Sequence, residues 1–295
     1  MQVPLGVGQY TEGLSGKSLV EAATRLERLG YDSMWLPEIN GREPFATCGY
    51  LLAKTDRLKV CSGIANVYVR DADAAAQGRR TLAEFADGRF SLGLGVSHPG
   101  LVTPRGHEWR SPISKMSDYL DGVYNADLAG PEPESNAPVL VAAHGPKLLE
   151  LAAQKADGAM MYMQTPGAVA AARDILGPDK TLHVTMRCVF LEERQQARDI
   201  ARRALAFYIG LPAYHRAWKA AGFAEPDWTN GGSDQLINAI CPCGDITVIR
   251  SYMESLVEAG ASNIILAPLH PQEAYDGVSA APLLWDWNVL EALAD

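Results

Sequence analysis

The sequence has no long apolar segment and no dense basic segment. Nowhere do about 18 apolar residues run together, and the amino terminus, MQVPLGVGQY, lacks the basic region and apolar stretch of a targeting signal. The 26 basic residues are outnumbered by 35 acidic ones, which gives a net charge of −9. The sequence therefore predicts a cytoplasmic protein that binds neither membranes nor nucleic acid.

Cysteine is scarce and is not arranged for metal binding. The chain has an odd number of cysteines, which favours reduced thiols, and they are Cys48, Cys61, Cys188, Cys241 and Cys243. The last two form a C-P-C sequence, which lacks the two intervening residues of a zinc or redox pair. A structural role is therefore expected for this pair, and no metal site is predicted.

The motifs of several common enzyme classes are also missing. The first predicted strand ends in GVGQ rather than in the His-x-His of metal-dependent hydrolase barrels. The segment GLGVSHPG places His98 where a dinucleotide-binding motif needs its third glycine. No G-x-S-x-G elbow and no P-loop occur. Zinc hydrolases, dinucleotide-binding folds and nucleotide triphosphatases are therefore disfavoured.

One pattern recurs along the chain, in which a helix ends at glycine and a short apolar run follows. It occurs in LERLGYDSMWL, EFADGRFSLGL, AQKADGAMMY and VEAGASNIIL. Glycine accepts the left-handed conformation that ends a helix, and uninterrupted apolar runs are typical of strands buried on both faces. The repeat therefore predicts alternating helices and parallel strands.

Eight strands and eight helices follow from this pattern. The strands are predicted near 3–8, 33–37, 59–65, 90–96, 139–143, 158–162, 182–188 and 263–267. The helices are predicted near 18–29, 44–54, 72–86, 114–127, 146–155, 166–176, 246–259 and 284–293. Eight repeats favour closure, so the predicted fold class is α/β, with residues 1–295 forming a single (β/α)8 TIM barrel.

Several helix ends carry recognisable signals. Ser18 with Glu21 has the spacing of a capping box, and Asp245 can cap the helix that begins beside it. Pro44 suits a first helical turn, and Gly30 is placed to end the first helix.

The segment about 192–240 breaks the repeat. It carries two helical patterns, EERQQARDIARRALAFYIG and PAYHRAWKAAGFAEPDW, which exceed a simple connection between strand 7 and helix 7. A helical insertion at this place can cap the carboxyl face of the barrel or can build a dimer contact. Both roles stay open from the sequence.

In a barrel, chemistry lies just after the strands, and the fifth strand ends in a potential anion site. Gly145 lets the backbone approach an anion closely, and the first N–H groups of the following helix lack helical partners. Pro146 begins that helix and Lys147 adds a cation, so a phosphate would fit there. The alternative is that Gly-Pro merely starts a helix.

A phosphate contact cannot hold a ligand by itself. A helix terminus contributes about 0.3–2 kcal/mol toward an anion, whereas micromolar affinity needs about 8 kcal/mol. An apolar moiety buried at the barrel mouth would supply the remainder, unless the apolar residues near the strand ends only fill the core. Those residues are Trp35, Ile64, Tyr68 and Tyr162, and further polar residues at strand ends are Gln9, Tyr10, Arg187 and His270.

The chain resembles the F420-dependent oxidoreductase branch of the luciferase-like monooxygenase superfamily. The resemblance covers nearly the whole sequence, because the following segments occur in the family's order and spacing: GYDSMWLPE (30–38), SGIANVYVRDA (62–72), AEFADGRFSLGLGVSH (83–98), APVLVAAHGPKLLELAAQKADGAMMY (137–162) and LVEAGASNIILAPL (256–269). It implies a (β/α)8 barrel that holds a flavin or deazaflavin at its carboxyl face, and a homodimer.

The resemblance also implies a set of cofactor-binding residues. The turn after strand 5 would bind the cofactor phosphate, and a bulge in strand 3, often with a non-prolyl cis peptide, would back the tricyclic ring. Polar contacts are expected at the pyrimidine edge of the ring. The predicted set is Gly63, Ile64 and Ala65 in the bulge, Asn66, Ser97 and His98 at the ring edge, His144, Gly145, Pro146 and Lys147 at the phosphate, and Gln164 and Thr165 after strand 6.

The sequence departs from the family after strand 2. The Asp-His or Glu-His-His of relatives is replaced by PEIN, so the usual histidine is absent. Glu38 keeps a carboxylate that can act as an acid or base, or can form an ion pair with Arg42 or Arg70. His98 is the alternative proton donor, or a hydrogen-bonded structural group. Glu38 and His98 are therefore the predicted catalytic residues.

The predicted activity is hydride transfer between coenzyme F420 and a small organic substrate. A deazaflavin carries a hydride and does not readily activate oxygen, so the protein must align two carbons and manage one proton. The alternative is an FMN-dependent monooxygenase that uses O2. A barrel that binds a phosphorylated ligand without catalysis is a third hypothesis.

Overall fold

A closed parallel sheet forms the centre of the computed structural model, which describes residues 3–276 and 283–294. Its barrel strands are β1 (Leu5–Gly8), β2 (Ser33–Leu36), β3 (Lys59–Asn66), β4 (Phe90–Gly95), β5 (Val139–Ala142), β6 (Gly158–Tyr162), β7 (Thr181–Phe190) and β9 (Asn263–Pro268). A short strand, β8 (Cys243–Gly244), pairs with the end of β7. Each barrel strand pairs in parallel with its neighbours, and β7 closes the barrel by pairing with both β6 and β9.

Helices connect the strands on the outside of the barrel. They are α1 (Gly16–Arg28), α2 (Pro44–Leu52), α3 (Ala72–Phe85), α4 (Pro99–Val102), α5 (Pro112–Asn125), α6 (Pro146–Lys155), α7 (Pro166–Leu176), α8 (Arg194–Ile209), α9 (Pro212–Ala220), α10 (Glu225–Trp228), α11 (Asp234–Ile240), α12 (Ile246–Glu258) and α13 (Trp287–Leu293). The predicted (β/α)8 barrel is confirmed, with the insertion between β7 and α12.

Three of the four predicted helix-end signals are confirmed. Asp245 caps α12 by accepting from the Val248 N–H at 3.0 Å, Pro44 occupies the first turn of α2, and Gly30 has a φ of +85° just after α1. The capping box at Ser18 was wrong. Ser15 is the N-cap, because α1 begins at Gly16, and its hydroxyl accepts from the Ser18 N–H at 3.1 Å.

Strand β7 shows how each strand separates the two sides of the barrel. Leu182, Val184 and Met186 are buried in the core between the sheet and the helices. The alternate residues, His183, Thr185 and Arg187, therefore point into the barrel. A small interior cluster fills the barrel below its carboxyl end, and it consists of Trp35, Cys61, Leu140, Met160 and Ile265.

The insertion covers the carboxyl end of the barrel and has a hydrophobic core of its own. It folds as α8 to α11 rather than as the two predicted helical segments. Its core includes the fully buried Trp218 and reaches Met163 and Leu269, which follow β6 and β9. The insertion thus has the position expected of a cap on the barrel face, and its role in a dimer contact stays a prediction.

The cysteines form no disulfide bonds. All five cysteines are buried and unpaired. The thiol of Cys243 lies 3.2 Å from the Cys241 carbonyl oxygen, a local contact that fits the expected structural role. No helix in residues 3–276 and 283–294 is long and apolar enough to cross a membrane.

His183 makes the stability of the barrel sensitive to pH. Its ring lies 5.1 Å from that of Trp35, and its Nδ1 has no partner in the described chain. Burial lowers the pKa of His183 from 6.5 to about 4. The unfolded chain therefore binds a proton at His183 more readily than the folded chain does. As the pH falls from 6.5 toward 4, this difference lowers the free energy of unfolding.

We expect His183→Gln to flatten the acid branch of the stability profile. Between about pH 7.5 and about pH 4.5, the wild type should lose about 2 kcal/mol more unfolding free energy than the variant. Urea unfolding at both pH values measures the difference. Equal losses in the two proteins would contradict the assignment.

Candidate active site

The carboxyl ends of the strands converge on one opening, and the backbone is unusual there. Ser97, two residues after β4, and Met163, directly after β6, adopt φ values of 61° and 54°. Residues other than glycine rarely adopt this left-handed conformation, which is typical of functional sites when the surroundings enforce it. Two such residues at the mouth of the barrel mark it as the candidate active site.

The predicted bulge in β3 is present. The pairing of β3 with β4 shifts register between Ser62 and Ala65, and the Gly63–Ile64 peptide is cis. A Cβ on Gly63 would lie 2.9 Å from the Trp35 Cβ, and one on Gly95 would lie 2.5 Å from the Ile64 Cδ1. Close packing against the Trp35 Cβ therefore favours glycine at position 63, whereas a side chain at position 95 would displace the Ile64 side chain. Gly63 and Ile64 keep some exposure and form an apolar wall of the mouth.

The start of α6 has the features expected of a phosphate cradle. Gly145 is its N-cap, with extended backbone, and no side chain caps the first turn. A Cβ built on Gly145 meets nothing within 4 Å, and Pro146 and Lys147 are exposed. Open N–H groups beside a cation suit a phosphate. These residues therefore fit the phosphate end of a flavin or deazaflavin.

Two histidines lie beside this cradle and face an aromatic ring of the insertion. The ring of Tyr214, from α9, is 4.9 Å from that of His144 and 6.5 Å from that of His98. Burial, and secondarily the charge of His98, lowers the pKa of His144 to about 4. Burial also lowers the pKa of His98. Both imidazoles are therefore neutral near pH 7, and each can donate one N–H.

The residues after β6 are largely held by local hydrogen bonds. The Gln164 side-chain nitrogen donates to the Tyr162 carbonyl oxygen at 3.1 Å and lies 3.5 Å from the His144 Nδ1. Thr165 caps α7 by accepting from the Ala168 N–H at 3.2 Å. Gln164 therefore lies beside His144, whereas the Thr165 hydroxyl is already used in the helix cap.

Glu38 forms the ion pair that the sequence offered as its alternative role. Its two oxygens accept from Arg70 at 2.6 and 2.8 Å, and Oε2 also accepts from the Asn66 N–H at 2.7 Å. The Asn66 side-chain oxygen in turn accepts from the Tyr68 N–H at 3.0 Å. Arg42 is not the partner, since it donates to the Leu14 carbonyl oxygen. Glu38 thus secures the end of β3.

A second group at the mouth was only partly visible in the sequence. Arg187 of β7 donates from Nε to the Tyr162 phenol oxygen at 2.7 Å, and the hydroxyls of Tyr10 and Tyr208 are 2.6 Å apart. Arg187, Tyr10 and Tyr162 could be placed at strand ends from the sequence. Tyr208 lies in the insertion, and no sequence signal links it to the other three.

Comparison with known proteins identifies a family. A family model described as luciferase-like monooxygenase matches residues 2–262. The chain is 23% identical over 294 residues to a 5,10-methylenetetrahydromethanopterin reductase from Methanolobus tindarius, covering 84% of this chain and 89% of that protein.

Solved structures share the barrel. The coenzyme F420 dependent tetrahydromethanopterin reductase from Methanopyrus kandleri superposes with a TM-score of 0.73 at 15% identity, covering 92% of this chain and 95% of that one. The oxygenating constituent of 3,6-diketocamphane monooxygenase from Pseudomonas putida, a type II Baeyer–Villiger monooxygenase in complex with FMN, gives 0.69 at 14% identity, covering 100% and 97%. At these identities the likeness establishes the fold.

The Glu38–Arg70 pair should contribute measurably to stability. The side chains are only 9% and 12% exposed, so Glu38→Gln should lower the free energy of unfolding by about 2–3 kcal/mol. Glu43 also contacts Arg70 but is 51% exposed. As the matched control, Glu43→Gln should cost about 1 kcal/mol. Chemical denaturation measures both, and equal losses would refute the assigned role of Glu38.

Proposed function

The chain belongs to the luciferase-like monooxygenase family, and we propose that it is an oxidoreductase transferring a hydride between coenzyme F420 and a small organic substrate. The observation that carries the proposal is the uncapped start of α6 at Gly145, which follows His144 and lies on the same rim of the barrel as the β3 bulge. This arrangement offers one end suited to a phosphate and one apolar wall suited to a planar ring.

The residues of the mouth divide the task of holding the cofactor. We assign the phosphate to Gly145, Pro146 and Lys147, and the ring to the wall formed by Gly63 and Ile64. The predicted Ala65 is buried in the core between the sheet and the helices and does not line this wall. We assign Asn66, Ser97, His98, His144 and Gln164, which lie at or after the ends of β3 to β6, to polar contacts with the cofactor. When bound, F420 supplies a carbon that carries a hydride. The protein's part is to align that carbon with the substrate and to exclude water.

One proton must accompany the hydride, and His98 is the group we assign to it. Its imidazole is partly exposed at the mouth, and burial lowers its pKa, so the neutral ring can exchange a proton near pH 7. Glu38 is less suited, because both of its oxygens accept hydrogen bonds from Arg70 or from Asn66. We therefore assign Glu38 to positioning the end of β3.

The FMN-dependent monooxygenase is the second candidate. The fold similarity to an FMN-bound monooxygenase, at a TM-score of 0.69, favours keeping it. The phosphate cradle and the apolar wall suit both cofactors, since each combines a phosphate with a tricyclic ring. The proposal for F420 draws on the likeness to an F420-dependent reductase, which has the higher TM-score of 0.73.

Fluorescence titration of the purified chain with each cofactor separates these candidates. We expect F420 to bind and FMN to bind more weakly. Tight binding of FMN with no binding of F420 would overturn the proposal in favour of the monooxygenase. Binding of F420 without any spectral change across a panel of alcohols, aldehydes and acids would favour the non-catalytic barrel.

Gly145→Asp provides a direct test of the phosphate cradle. The added carboxylate would cap the first N–H groups of α6 and repel a phosphate, so F420 should bind about tenfold more weakly or worse. Thermal stability should not fall, because aspartate is a better N-cap than glycine. Fluorescence titration and a melting curve measure the two effects.

Gly16→Asp is the matched control for this variant. Gly16 also has open space around its Cβ position and begins a helix, but Ser15 already caps α1. The charge change is the same, so F420 binding should stay within about twofold of the wild type. Equal weakening by both variants would show that Gly145 has no special role.

We also propose that the chain forms a homodimer in the cytoplasm, as the family resemblance implies. Light scattering coupled to size-exclusion chromatography would report the mass in solution. A mass equal to one chain of 31.8 kDa would reject the dimer.

A further inference from the structure

Arg187 places a positive charge inside the barrel mouth. Its neighbours Met186 and Cys188 face the helices, so its own side chain points inward from the carboxyl end of β7. Its residue exposure is 3%. Nε donates to the Tyr162 phenol at 2.7 Å, and Nη1 lies 3.4 Å from the Ala267 carbonyl oxygen. Nη2 makes no hydrogen bond with the described residues.

Other arginines of this protein show how a structural arginine is satisfied. Arg173 donates to the carbonyl oxygens of Gly177, Lys180 and Gly260 and to the Ser262 hydroxyl. Arg70 has two carboxylates, as described above. Within residues 3–276 and 283–294, Arg187 has neither a carboxylate nor a comparable set of carbonyls. A buried cation with so few partners is unfavourable unless a further anion joins it.

Phenol groups surround this cation. The guanidinium carbon lies 5.7 Å from the Tyr10 ring centre and 5.5 Å from that of Tyr162. Tyr208 reaches the same place from α8, through its 2.6 Å contact with the Tyr10 hydroxyl. Burial raises the pKa of Tyr10 to about 12 and that of Tyr162 further. The phenols therefore stay protonated. The Tyr10–Tyr208 hydrogen bond uses one of those two hydroxyl protons, and the other remains to donate to an anionic oxygen.

Some accessible surface remains beside this group. Tyr162 and Thr185 are only partly buried although they face the barrel interior. Gly8 is closely packed, because a Cβ there would lie 2.8 Å from the Ile265 side chain. A ligand would therefore approach the guanidinium from the side of Tyr162 and Thr185.

The strand order places Arg187 across the mouth from the ring wall. Around the closed barrel, β7 is four strands from β3 in either direction, through β6, β5 and β4 or through β9, β1 and β2. A substrate between them would have the Gly63–Ile64 wall on one side and the guanidinium on the other. The charge is thus positioned to contact the substrate rather than the ring.

We propose that Arg187, with Tyr10, Tyr162 and Tyr208, binds a carboxylate of the substrate. The chain would therefore act on small organic acids, and cationic substrates would be rejected by the guanidinium. This inference rests on the proposed function for its geometry, since the ring occupies the opposite wall. Carboxylate binding itself does not require the cofactor.

Binding of benzoate and of benzamide to the purified protein tests the inference without any turnover. The two probes have nearly the same shape and differ in charge. We expect benzoate to raise the melting temperature and to quench intrinsic fluorescence at concentrations at which benzamide does neither. Equal effects of the two probes, or no effect of benzoate, would overturn the inference.

Substitutions of Arg187 test whether its guanidinium is the group that binds benzoate. Arg187→Gln should weaken benzoate binding about tenfold or more, and Arg187→Lys should restore part of it. Arg89→Gln is the matched control, because Arg89 precedes β4 at the other end of the barrel and contacts carbonyls of Leu52 and Leu58. It should change benzoate binding less than about twofold. Equal weakening by the glutamine variants would refute the assignment.

A final titration separates this inference from the proposed function. Benzoate should bind with similar affinity in the absence and presence of saturating F420, and Arg187→Gln should leave F420 binding unchanged. If F420 displaces benzoate, the carboxylate site belongs to the cofactor and the inference fails. If the wild type binds benzoate but not F420, the proposed function fails while Arg187 keeps its carboxylate.

Discussion

The pairing of β7 with both β6 and β9 is the constraint on which the rest of the structure depends. It closes the sheet, and a closed parallel sheet brings every strand end to one rim. Residues far apart in the chain, such as Gly8, Gly63, Gly145 and Arg187, then surround a single opening. Closure also limits the volume inside the barrel. Glycines therefore occupy strand positions that lie against the large side chains of Trp35, Ile64 and Ile265.

Much of the barrel could be predicted because its signals are local. Apolar runs of buried strands, the glycine after α1 and the Asp245 cap each depend on a few neighbouring residues. The predicted capping box at Ser18 was wrong although it is also a local signal. Ser15 and Ser18 can both cap a helix, and only the residue at which α1 begins distinguishes them. The insertion was recognised by its length, but its division into four helices depends on packing around Trp218.

The parts of the candidate site that consist of consecutive residues could be predicted from the sequence. The cradle at Gly145 follows from the residues around one strand end, whereas the bulge at Gly63 was expected only from the resemblance to the family. The tyrosine group around Arg187 combines β1, β6, β7 and α8, so no local pattern could reveal it. Glu38 illustrates the remaining difficulty, because the same carboxylate suits proton transfer or an ion pair, and only the position of Arg70 distinguishes the two.

The insertion packs around its own buried residues, and its core also includes Met163, Val189 and Leu269 from the carboxyl end of the barrel. Its helices still contribute Tyr208 and Tyr214 to the mouth. A segment with a largely separate core can change in sequence and length while the barrel beneath keeps its fold. The shape of the opening can therefore diverge through one insertion, without changes to the strands that form the rim.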